Sequence, residues 1–125
     1  ASGLAVARKG LLKYEKDDRP PYPWLYAMFA GKLEPQEVFS QIDGAGFSES
    51  YKTRVLFHAY LYVGIFLELT EDDPGKALPY LRKAASNEYG RSTGTYMWQV
   101  ARIHHQLRKA EGDRKAKTKP LGSEN

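Results

Sequence analysis

The sequence has no cysteine among its 125 residues, so it can build neither a disulfide framework nor a thiolate metal site. That absence leaves the compartment open, because a helical periplasmic protein needs no cysteine either. Also missing is the run of ~20 apolar residues that a membrane-spanning helix requires. The densest apolar stretch, Val55 to Leu67, is shorter than that and contains His58 and Gly64, so it reads as a buried helix of a water-facing fold. No segment alternates apolar and polar residues between turn dipeptides, so no strand is required anywhere. Histidine is scarce: His58, His104 and His105 are the only three. His104 and His105 are neighbours, which on a helix point about 100° apart and do not readily share one ion. Gly44-x-Gly46 lacks the strand before it and the lysine after it that a phosphate loop needs. No serine sits in a nucleophile elbow. These gaps leave an enzyme as the least supported class, and the expectation is no catalytic residue, no metal and no cofactor.

What is present points to helices. A chain of this length fits one domain and buries a core without staples. The net charge of +4 is concentrated near the end. Arg108, Lys109, Arg114, Lys115, Lys117 and Lys119 face only Glu111 and Asp113 across residues 108–119, an excess equal to that of the whole chain. The expected domain therefore covers 1–110, with 111–125 a basic disordered tail. Leu121 to Asn125 resemble an expression-vector remnant, and the chain as a whole reads as a trimmed piece of something longer.

The punctuation of the chain sets the helix boundaries. A short helix is expected over 4–16, carrying Leu4, Leu11 and Leu12. Pro20, Pro21 and Pro23 stop it, and Pro23 suits the first turn of the next helix, which carries Trp24, Leu25, Met28 and Phe29. Pro35 opens another, with Val38, Phe39 and Ile42 on its apolar side and Asp43 to Gly46 at its end. Ser48 or Ser50 caps a spine helix from about Glu49 to Leu69, apolar nearly all round between Val55 and Leu67, which demands cover on more than one side. Asp73 and Pro74 start the next helix, distorted by the internal Pro79. Residues 87–94 read as a loop, and a last helix runs from Thr95 to about Lys109. This is an all-α chain of about five helices in antiparallel pairs.

Small residues recur inside aromatic-rich helices. Ala27, Gly64 and Ala101 are spaced 37 apart, and Gly64 costs a helix about 1 kcal/mol relative to alanine, a cost usually accepted for close helix approach. The order Tyr60, Val63, Gly64, Leu67, then Ala77, Leu81, Ala84 resembles the tetratricopeptide repeat. Tyr62-Val63-Gly64, the acidic turn and Ala77 to Ala84 look most like bacterial repeat lipoproteins of the new-lipoprotein-I type. The resemblance spans about residues 17–108, with one well-matched repeat and degenerate flanks. It implies a superhelical stack whose first helices line a concave groove for a peptide or partner domain. Aligned on Gly64, the groove positions are His58, Leu61, Ile65 and Glu68; aligned on Ala101, they are Thr95, Trp98, Arg102 and His105. The resemblance also implies a periplasmic or lipid-anchored setting, although the residues themselves name no compartment.

The expected function is a non-catalytic protein-interaction scaffold, with self-association through exposed stacking faces as a further partner expectation. The alternative is RNA or other nucleic-acid binding, with exposed aromatics stacking on bases and the basic tail meeting phosphate. A positive charge gathered in a tail rather than on a folded face weighs against it.

Overall fold

Proline and serine start helices at the expected boundaries. A computed structural model describes residues 18–71, 74–94 and 96–118, and all regular structure in them is helical. The elements are α1 (Tyr22–Phe29), α2 (Pro35–Gly44), α3 (Glu49–Thr70), α4 (Pro74–Ala85), α5 (Glu88–Thr93) and α6 (Tyr96–Thr118). Pro23 lies in the first turn of α1 and Pro35 opens α2. The Glu34 N–H donates to Glu37 Oε1 at 2.8 Å, one half of a capping box that ties down the start of α2. Ser48 is the serine that caps α3, its hydroxyl accepting the Tyr51 N–H at 3.4 Å. The expected helix over 4–16 and the cap at Asp73 lie outside the described residues.

α3 serves two cores. Val55, Ala59 and Val63, four apart, pack on Leu25, Met28 and Phe29 of α1 and on Val38 and Ile42 of α2. Phe57 and Leu61 point the other way, onto Ala77, Leu81 and Ala84 of α4 and Ala101 of α6. The near-uniform apolarity of the spine helix is thus accounted for by cover on two sides. Between the cores, Phe39 of α2 stacks on Tyr60 and Tyr80, with ring centroids 5.0 and 5.7 Å away.

α4 forms the most extensive helix contacts of the fold, with α3 on one flank and α6 on the other. Gly64 permits the first. A Cβ placed there would lie 2.5 Å from Leu81 Cδ2 and 2.8 Å from its Cγ, inside any tolerated separation. Ala84 and Ala101 are likewise fully buried, whereas Ala27, their spacing counterpart in α1, is only half-buried. Asn87, just past the end of α4, donates to the Thr53 carbonyl near the start of α3 at 3.1 Å, so α4 runs antiparallel to α3. Phe57 and Trp98 flank Gly90 at one end, while Glu68 meets His104 and Arg108 further along. α6 therefore runs alongside α3 in the same direction.

Two elements differ from the expectation. Residues 87–94 are not a plain loop: Asn87 caps α5 by accepting the Gly90 N–H at 3.0 Å, and Gly94, at φ +56°, closes it in the left-handed region. The expected tail from 111 is helical as far as Thr118, because α6 does not stop at Lys109. Arg108 holds Glu111 at 2.9 Å one turn on, and alanine, lysine, arginine and glutamate are strong helix formers without any apolar face to announce them. Residues 119–125 lie outside the described residues.

The Gly64 approach yields a signed expectation. Gly64→Ala should gain about 1 kcal/mol in helix propensity but lose about 1–3 kcal/mol to overpacking against Leu81, for net destabilisation. In a Leu81→Ala background the same change should become neutral or stabilising. Urea denaturation of the four chains checks this, and a stabilised Gly64→Ala single variant would contradict it.

Candidate functional site

Four residues of α3, Tyr51, Arg54, Val55 and His58, stand at spacings of three, four and seven and so share one helix face. With Arg19 and Pro20 just ahead of α1, Tyr22 at its start, and Tyr89 from α5, they line a cleft of about 460 Å³. The floor is His58. Its ring lies 5.8 Å from that of Tyr22, 5.1 Å from Phe57 and 6.2 Å from Tyr89. Its Nδ1 is buried, and no hydrogen-bond partner for it exists among the described residues. Burial, then the nearby Arg54 and Arg19 guanidinium groups, push the imidazole pKa down to about 4. Arg54 also sits over the Tyr89 ring, 5.8 Å from its centroid. Among the described residues the mouth is lined by arginine and tyrosine, and the floor is an imidazole that is uncharged at neutral pH.

A second cleft, of about 250 Å³, opens where α4 meets α6 and is lined by Arg82, Ala85, Ser86, Trp98, Arg102, His105 and Gln106. Trp98 donates its indole N–H to the Ala85 carbonyl at 2.9 Å, which anchors the first turns of α6 to the end of α4. The Arg102 guanidinium lies 5.0 Å from the Trp98 ring centroid and donates to Gln99 Oε1 at 2.8 Å. Burial, then Lys109 and Arg82, lower the His105 pKa. Two further clefts beside α5, one holding Glu49 and Glu88 and the other Arg91 and Trp98, make this short helix a wall between concave surfaces.

Seven of the eight positions placed in one groove by alignment are described, and they fall on different surfaces. His58 floors the first cleft; Trp98, Arg102 and His105 line the second. Leu61 has no exposed surface, because α4 and α6 close over it, and a partner cannot touch it. Ile65 is half-buried against the same core. Glu68 is a structural bolt: its carboxylate accepts His104 Nδ1 at 2.8 Å and pairs with Arg108, whose Nε lies 3.1 Å away but off the line of a hydrogen bond. Thr95 lies outside the described residues. Arg19, Tyr22, Arg54 and Tyr89 are not groove positions by the sequence reading. The three-four-seven spacing of Tyr51, Arg54, Val55 and His58 is the available signal for the α3 part of the site.

Elsewhere on the surface, Ile103 and Leu107 of α6 are each 53% exposed one turn apart. No helix among the described residues is long and apolar enough to cross a membrane. No protein-family model matches the chain, nor does any curated protein or solved structure.

The depressed His58 pKa has a stability consequence of definite sign. Between about pH 6.5 and 4 the unfolded chain binds a proton that the folded chain refuses, so stability falls as pH drops through that window. The loss attributable to His58 should reach roughly 3 kcal/mol and level off below the folded pKa. Urea midpoints of wild type and His58→Gln across this range check it: the wild type should lose stability relative to the variant as pH falls, and parallel curves would contradict the burial.

Proposed function

We propose that this domain is a non-catalytic protein-interaction scaffold that holds a peptide or a partner domain on the face built by α1, α3 and α5. The observation that carries the reading is the His58 cleft. Tyrosine and arginine, the side chains most enriched at binding hot spots together with tryptophan, converge there from three separate elements over a buried ring nitrogen with no partner among the described residues. These elements are pinned by core packing rather than by the cleft itself, so the surface is preorganised and little ordering cost falls on binding. The paired arrangement of α3 and α4, with close approach at Gly64, is also what a degenerate tetratricopeptide-like stack would use to present such a surface. The half-buried Trp98 cleft offers a second contact region on the far side of α5.

Nucleic-acid binding through the basic end of the chain draws less support from the geometry. Arg108, the first of that basic run, is engaged by Glu68 and Glu111. Phosphate would have to compete with two carboxylates for it.

Arg54 and Tyr51 are exposed, so they can be truncated without opening the core. A random peptide-display library panned against the whole chain should enrich sequences that bind wild type and lose ~tenfold or more in affinity for Arg54→Ala and Tyr51→Ala. The melting temperatures of both variants should stay near that of wild type. If the enriched peptides bind all three chains equally, or if none is enriched, the His58 face is not a docking site.

A further inference from the structure

Trp98, Arg102, His105 and Lys109 follow one another on α6 at spacings of four, three and four, so they share one helix face. The first three line the smaller cleft, and Arg82 of α4 lines it from the other side. Lys109 comes one turn after His105 and, together with Arg82, acts on its ring. Among the described residues no ion pair reaches Arg82, Arg102 or Lys109, whereas Lys52 and Arg108, on other faces, each hold a carboxylate. No carboxylate among the described residues lines this cleft either. Like charges gathered from two helices without a counter-ion repel one another, and a bound anion relieves that repulsion. The Arg102 guanidinium is held by the Trp98 ring and by Gln99 Oε1. That bond occupies a single N–H, and the other donors of the fork stay open to an anion.

Size and charge narrow the ligand. The cleft, at about 250 Å³, is smaller than the ~300–1,000 Å³ of small-molecule sites, so it suits one anionic group rather than a whole nucleotide. Arg82, Arg102 and Lys109 outweigh a single carboxylate, whereas a phosphorylated side chain brings about −1.5 to −2 charge and three acceptor oxygens. The adjoining concave surface shares Ser86 and Trp98 with the cleft, is larger, at about 710 Å³, and carries charge of both signs, Glu88 and Arg91. A nucleic-acid strand continuing that way would set a phosphate against Glu88, while a peptide can match both charges. We propose that the Trp98 cleft binds a phosphorylated segment of a partner protein, its phosphate between Arg82 and Arg102 beside His105, and its flanking residues running over Trp98 toward Glu88 and Arg91. This rests on the scaffold reading above but not on the His58 cleft. The charged groups that face His105 are Arg82 from α4 and Arg102 and Lys109 from its own helix. A bound phosphate offsets these cations, so the His105 ring takes up its proton more readily in the complex.

The test uses the whole chain with ¹³C-labelled histidine. The probes are a pool of short peptides with one fixed phosphoserine and degenerate flanks, the same pool with serine or with glutamate at that position, inorganic phosphate, and oligothymidine. The phosphoserine pool should move the His105 signal ahead of those of His58 and His104 and raise the His105 titration midpoint. It should bind ~tenfold or more tighter than the serine pool. Arg82 and Lys109 are exposed, so Arg82→Ala and Lys109→Ala leave the core closed; each should weaken binding, Arg82→Ala by ~tenfold. Lys83→Ala makes the same change in net charge on the neighbouring residue, which lies over Tyr60 instead, and should leave affinity within ~twofold. Arg54→Ala, at the His58 cleft, should bind the pool as wild type does. Equal losses from Lys83→Ala and Arg82→Ala would mean unspecific charge attraction and overturn the site. Equal binding of the glutamate pool overturns the phosphate specificity, equal binding of inorganic phosphate overturns the peptide, and preferred binding of oligothymidine overturns the proposal in favour of nucleic acid. If no probe moves His105, the proposal falls and the His58 docking reading stands on its own test.

Discussion

The close approach of α3 and α4 at Gly64 is the constraint on which the rest of the structure depends. Leu81 occupies the space a side chain at Gly64 would need, and both residues are buried. With α4 drawn in so tightly, Ala84 on α4 and Ala101 on α6 are the sizes that fit, and α6 seats against the outer flank of α4. A bulkier residue at any of these positions would push the helices apart and forfeit dispersion contacts along the whole seam. α3 is then free to present its other apolar row to α1 and α2.

The position of α5 depends on that seam. It lies in the gap left between the end of α4 and the start of α6, and its Gly90 must be bare because Phe57 crowds it at 2.7 Å and Trp98 at 3.0 Å from where a Cβ would stand. Asn87 serves twice, capping α5 through its Oδ1 and locking it to α3 through its Nδ2. Tyr89 is thereby carried to the wall of the His58 cleft. The cleft is a consequence of tight packing two helices away. Its electrostatics come from the same source: the core that buries the imidazole strips its solvation, and two surface arginines complete the bias toward the neutral form.

Much of the fold was legible in sequence for reasons that are local. Pro23, Pro35 and Ser48 mark helix starts whose unsatisfied N–H groups demand those residue types, and Gly64 with Ala84 marks the seam. The failures share a cause as well. α5 is a helix of under two turns with a glycine at its centre, so neither period nor propensity reveals it; only Asn87 and Gly94 at its two ends do. The far end of α6 has no apolar row, and a charge run there looks the same whether solvated coil or solvated helix. The groove positions were harder still. Leu61 and His58 are one turn apart on α3, yet one faces Ala101 and the other faces Tyr22 and Tyr89. That division is set by where α5 and α6 sit, which no pattern within α3 encodes. Glu68 has the look of a groove carboxylate and is instead bound to His104 and Arg108, residues 36 or more positions away.

The most direct measurement of the central claim is a ¹³C-edited NOESY spectrum of the chain with Gly64 and Leu81 assigned. A strong cross-peak between the Gly64 α-protons and a Leu81 δ-methyl, together with peaks from the same leucine to the Ala101 methyl, is the expected result, since these groups share one core. A Gly64 that shows contacts only within its own helix would mean that α4 does not lie against it, and the seam, the seat of α5 and the cleft would lose their physical basis together.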